Sequence, residues 1–160
     1  MTTPFLWGLG SSNNGLLTSL VTLQSTELNS LANLTSVLSS VGGASGKFTN
    51  VDTGGAVWGE VFATLGAIGT AVLVGGNISG YFIKSPDSGS TYERSSAIVR
   101  APDFIIPIPN TTITAADQFA AVGKVLIPSV QFKVLIVNNT GQTLAASGNT
   151  IKLAPISIQF

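Results

Sequence analysis

VFATLGAIGTAVLVGGNISGYFI, residues 61–83, decides the fold. Its length is close to the roughly 20 apolar residues that a helix needs to cross a bilayer. Gly75-Gly76-Asn77 and Ser79-Gly80 interrupt it, however, and only 61–74 is left as a clean apolar run, short of a span. The glycines at 66, 69, 75, 76 and 80 divide the stretch into strand-length pieces. It reads as two or three short buried strands, so no membrane span is expected.

Toward the C-terminus, apolar and β-branched runs recur with turn signals between them. Strands are expected at 80–84, 96–100, 103–108, 124–127, 131–137 and 151–153. Ser85-Pro86-Asp87-Ser88-Gly89 and Asn138-Asn139-Thr140-Gly141 carry the residues that turns require. Pro102, Pro107, Pro109 and Pro128 fall at strand ends or on edge strands, where a missing N–H is tolerated. Residues 47–160 are therefore expected to form a mainly β module, an antiparallel β-sandwich or jelly roll. Asp87 and Tyr92 mark a candidate exposed recognition loop, whereas Trp58 and Tyr81, in apolar surroundings, read as core.

Toward the N-terminus, residues 16–41 place leucine and valine at helical spacing, with Glu27 as the only charge. Ser11 to Asn14 could cap such a helix and Gly42 could end it. A heptad reading sets Leu17, Leu20, Leu31, Leu34, Leu38 and Val41 at the seam, with Gln24 and Glu27 among them. An apolar stripe of this kind needs a partner, so 1–46 is expected to be an arm and an oligomerisation or docking helix with a Gly-rich hinge. Phe5 and Trp7, with Leu6 and Leu9, are expected to pack against a neighbour or to form an internal helix staple. The N-terminus lacks the basic and apolar regions of a signal peptide and reads as mature sequence.

Composition narrows the chemistry. Charged residues make up only 9% of the 160, with seven Lys/Arg balancing seven Asp/Glu, so much of the surface is expected to face other protein. No basic stripe exists to hold nucleic acid. Cysteine and histidine are both missing, which removes disulfides, zinc–thiolate sites and a Ser-His-Asp triad. Asp87 and Glu93 could be imagined as a catalytic carboxylate pair, but a solvated hairpin accounts for them. The glycine clusters lack the Lys-Ser/Thr of a phosphate loop. The expectation is a protein that is not an enzyme and holds neither metal nor cofactor.

GYFIKSPDSGSTYE (80–93), RAPDFIIPIP (100–109) and FKVLIVNNTGQTLAASGNTIKLAP (132–155) resemble segments of small virion structural proteins of tailed bacteriophages. The resemblance covers most of the β half, and its motifs describe a scaffold rather than a reactive site. It implies a protein on the virion surface, made in the host cytoplasm, that decorates or cements the capsid. Its implied partners are itself, as a homo-oligomer with a trimer favoured over a dimer, and the phage major capsid protein or another virion protein. A trimeric head or tail fibre, a receptor- or glycan-binding adhesion protein and a membrane-active phage protein are the competing readings.

Overall fold

The computed structural model describes residues 20–40, 46–49, 52–95, 99–114 and 116–156. These contain nine strands: β1 (Val21–Gln24), β2 (Ser36–Leu38), β3 (Trp58–Leu65), β4 (Asn77–Ser85), β5 (Phe104–Pro107), β6 (Asp117–Ala120), β7 (Val125–Leu126), β8 (Gln131–Asn139) and β9 (Thr150–Ile156). The larger sheet runs β1-β9-β3-β6, with β7 also paired to β3, and the smaller runs β2-β8-β4-β5. Every pairing is antiparallel. First pairs with last, second with second-last, β3 with β6 and β4 with β5, the nesting of one long ribbon folded over on itself.

Alternation fixes which way each strand faces. Along β3, Gly59, Val61, Ala63 and Leu65 are buried, while Trp58 and Glu60 are exposed and Phe62 and Thr64 half-buried. Along β8, Phe132, Val134 and Ile136 enter the same hydrophobic cluster as Val61, Ala63 and Leu65, so one core receives the inner faces of both sheets. Aromatic rings run through it: Phe48 stacks on Phe132 at 5.5 Å, Phe132 meets Phe82 edge-on at 5.0 Å, and Phe82 lies 5.7 Å from Phe104. Gly80 makes room for this chain, because a Cβ there would run into the Phe104 ring.

The region 61–83 forms β3, a loop and β4, as its glycines suggested. The expected N-terminal helix does not form over the described part of 16–41. Residues 20–40 instead make β1, a 3₁₀ turn (Thr26–Leu28) and β2. β1 pairs with β9 in one sheet and β2 with β8 in the other, so this segment crosses from sheet to sheet and completes both. The intended seam is split: Leu20 and Leu34 are exposed, Leu31 and Leu38 are half-buried, and Leu23 and Leu28 fill the core. Local propensity permits this outcome, since Val21, Thr22, Val37 and the Asn-Ser and Asn-Leu pairs at 29–30 and 33–34 suit strands and turns as well as a helix.

Tertiary hydrogen bonds then decide it. Gln24, fully buried, donates from Nε2 to Val37 O (3.1 Å) and Val134 O (2.7 Å). Ser39 is bonded in both directions to Val134, its N–H reaching Val134 O at 2.8 Å and its Oγ accepting from Val134 N at 3.1 Å. No helix among the described residues is long and apolar enough to cross a membrane.

Candidate functional site

The sequence singled out Asp87 and Tyr92, and the chain brings them into one loop after β4. Asp87 Oδ1 accepts from Ser85 Oγ (2.7 Å) and Thr91 N (2.8 Å), and Oδ2 accepts from Thr91 Oγ1 (2.6 Å). The Thr91 hydroxyl and N–H, followed by Ser85, hold its carboxyl far below the usual carboxylate range. A carboxylate committed to three donors shapes a turn; it is not poised to take a proton. Gly89 completes the turn at φ +88°, where a Cβ would strike Gln131 Oε1.

Tyr92 is half-buried rather than displayed. Its ring centroid is 5.1 Å from Lys133 Nζ and 6.0 Å from Lys47 Nζ, and Lys47 also donates to Gly89 O. Burial, and then the Asp87 charge, raises the pKa of its hydroxyl. Glu93 and Arg100 continue the cover. Arg100 donates to Asp103 Oδ2 (2.7 Å) and Phe82 O (2.8 Å) and sits 5.7 Å from the Tyr81 ring. Lys133 and Tyr81 belong to the outer face of the smaller sheet, so the loop after β4 lies over that face.

The opposite end of the strands is built differently. Here the connections β1–β2, β3–β4 and β8–β9 meet and are knitted by side-chain amides. Asn138, fully buried, donates to Leu31 O and Gln142 O, both at 2.8 Å, and accepts from Thr140 N (3.0 Å) and Thr140 Oγ1 (2.7 Å). Asn149, also buried, donates to Asn29 Oδ1 (3.0 Å) and Ala145 O (2.7 Å) and accepts from Gly66 N (3.1 Å). Gln142 bridges to the third connection through Ala71 O and Thr70 Oγ1. Buried polar groups satisfied this fully give a loop end with few alternative arrangements.

Three aliphatic side chains stand on that rigid base. Leu34 is 76% exposed, Leu73 56% and Val74 87%. Leu34 adopts φ +58°, a left-handed conformation that costs a non-glycine residue about 1 kcal/mol or more. It is held there by its N–H to Asn138 O (2.7 Å) and by its neighbour Asn33, whose Oδ1 accepts from Gly141 N (2.8 Å). Leu73 is fixed by its N–H to Thr140 O (2.9 Å) and lies against Gly141, where a Cβ would collide with it. Asn33 and Leu73 thus meet at one glycine, with Leu34 and Val74 next to them in the chain.

A second apolar surface lies on the outer face of the larger sheet. Trp58 is paired on one side with Leu126 and on the other with Ile156. Trp58 is 43% exposed and Leu126 58%, which corrects the assignment of Trp58 to the core.

Of the residues expected to make contacts, Leu34 is on the loop end, Leu20 is exposed before β1, Leu38 lies in β2, and Leu31, in the β1–β2 connection, packs against the core. Phe5, Trp7, Leu17 and Val41 lie outside the described residues. Leu73 and Val74 fall in an apolar stretch that suits a strand, and only the Gly75-Gly76 pair signals the loop in which they lie. Trp58 had a clearer signal, because period-two counting puts it in register with Glu60 and Thr64 and not with Val61 and Leu65. No group of three or more metal-binding side chains occurs among the described residues. No protein-family model matches this chain, and neither the curated proteins nor the solved structures contain a significant match.

Proposed function

We propose that this chain is a structural virion protein, a jelly-roll sandwich that decorates or cements a phage capsid through self-association and apolar contacts with coat subunits. The observation that carries the reading is the loop end. Leu34, Leu73 and Val74 are exposed there on a base locked by Asn138 and Asn149. Leu34 lies outside the hydrophobic cluster of the described residues, so its strained, solvent-facing position adds nothing to that core. A rigid apolar platform is what a subunit contact uses, because little conformational entropy remains to be lost on docking. Repetition over a shell then converts weak single contacts into particle stability by mass action and multivalency.

The test is co-sedimentation of the full chain with assembled phage shells that lack it, with host envelopes in parallel. Saturable binding to shells, lost in Val74→Asp, supports the reading; binding to envelopes alone overturns it. The second reading, a fibre or a receptor- or glycan-binding adhesion protein, draws on Trp58, since an exposed indole is a platform on which a sugar ring stacks. Saccharide competition in the envelope arm separates the two.

A further inference from the structure

The outer face of the larger sheet has a layout that specifies its partner. Residues directly opposite in an antiparallel pair share a face. Val125, Gly59 and Pro155 form a buried row, so the adjacent row of Leu126, Trp58 and Ile156 takes the other face, where Leu126 and Trp58 are exposed and Ile156 is covered. Two residues along β3 on the same face stands Glu60, and two further stands Phe62, opposite Lys152 of β9. One acid and one base therefore share the face that carries Trp58, Glu60 one same-face position from it and Lys152 two. Both ion pairs found among the described residues belong to Arg100, so neither Glu60 nor Lys152 is engaged in one.

We infer that this face binds the same face of a second copy of the chain about a two-fold axis, Trp58 anchoring the contact and Glu60 of each copy meeting Lys152 of the other. A two-fold contact needs a surface that complements itself, so that residue i meets j and j meets i. An acid and a base on one face, neither paired with a charged side chain among the described residues, satisfy that condition. A partner of single charge sign would leave one of them opposed. A buried tryptophan surrounded by aliphatic side chains is the usual energetic centre of such contacts. The inference deepens the assembly reading and rests on it only for self-association, which needs no shell to be measured.

Sedimentation equilibrium of the full chain over a wide concentration range gives the mass and dissociation constant. Trp58→Ala should weaken the dimer by about 30-fold or more, the scale of a hot-spot residue. Glu60→Lys and Lys152→Glu should each weaken it by about 10-fold, and an equimolar mixture of those two variants should associate better than either alone. In the mixture both cross-axis pairs are again of opposite sign. Thermal unfolding of each variant checks that it is folded, and the two charge variants leave the core untouched should Trp58→Ala fail. A monomer at every concentration, a three-fold mass, or a mixture no tighter than its components would overturn the two-fold contact. Shell binding by the same variants reports on the decoration reading separately, because the loop end is unchanged in them.

Discussion

The two ends of the strand ribbon solve the same problem, how to hold loops still, by different means. At one end the polar groups are buried and neutral: Asn138 and Asn149 tie the β1–β2, β3–β4 and β8–β9 connections through amides with no solvent access. At the other the carboxylate of Asp87 works in the open, and Arg100 and two lysines pin rings at the surface. Buried neutral networks are costly to damage, because each lost partner strands another desolvated group. Exposed charged ones are screened and replaceable by water. The apolar side chains offered to solvent at a loop end stand on the first kind, so rigidity and stickiness coincide there.

The largest test of that contrast is Asn138→Ala. It should cost about 3 kcal/mol in urea unfolding, since the Leu31 carbonyl and the Thr140 N–H would lose their partner in the interior. Asp87→Ala should leave the unfolding midpoint nearly unmoved; equal losses at both ends would remove the distinction. Gly141→Ala comes next, at about 2 kcal/mol, because φ is +80° and the new methyl displaces Leu73. It should also weaken shell binding, as a misplaced Leu73 no longer completes the platform.

Leu34→Asn runs the other way. Asparagine tolerates the left-handed conformation, so the variant should gain about 0.5–1 kcal/mol of stability while binding shells less well. A loss of stability would mean that Leu34 supports the fold after all. The smallest effect is that of pH on the sheet-to-sheet crossing. Partial burial works to raise the Glu27 pKa, but donors from Ser40 and the Ser25 N–H outweigh it and hold the carboxyl at about 2, against an ordinary 4.5. Its contribution is therefore complete above pH 4.5 and is lost as the pH falls toward 2. Solvent screening keeps it to about 1 kcal/mol at most. Glu27→Gln should flatten the unfolding midpoint across that window, and an unchanged slope would show that the crossing is held without it.

Much of the β half could be read directly from residue order. β4, β5, β8 and β9 fall where apolar and β-branched runs lie between turn signals, and the SPDSG turn is organised by its aspartate. β1 and β2 could not be read in this way. Leucines spaced for a helix are spaced equally well for two short strands with a turn between them, and the choice is made by Gln24 and Ser39 bonding to Val134, far along the chain. The loop end is invisible for the same reason. Asn138 and Asn149 read as ordinary turn residues until the connections that they join are brought together, and no local pattern announces that Leu34 will turn left-handed.

The nesting of first strand with last also sets an order of events during synthesis. Val21 finds Leu153, and Val37 finds Ile136, only after the long stretch of chain between the partners has left the ribosome. Until then Leu23 and Leu28 have no core to enter, and both central strands of the crossing side are missing. Folding must wait for long-range closure, which is slow in β proteins and leaves apolar segments open to wrong partners. A nascent chain stalled before β8 should thus be captured by holdase chaperones, and release of the last strand should end that dependence.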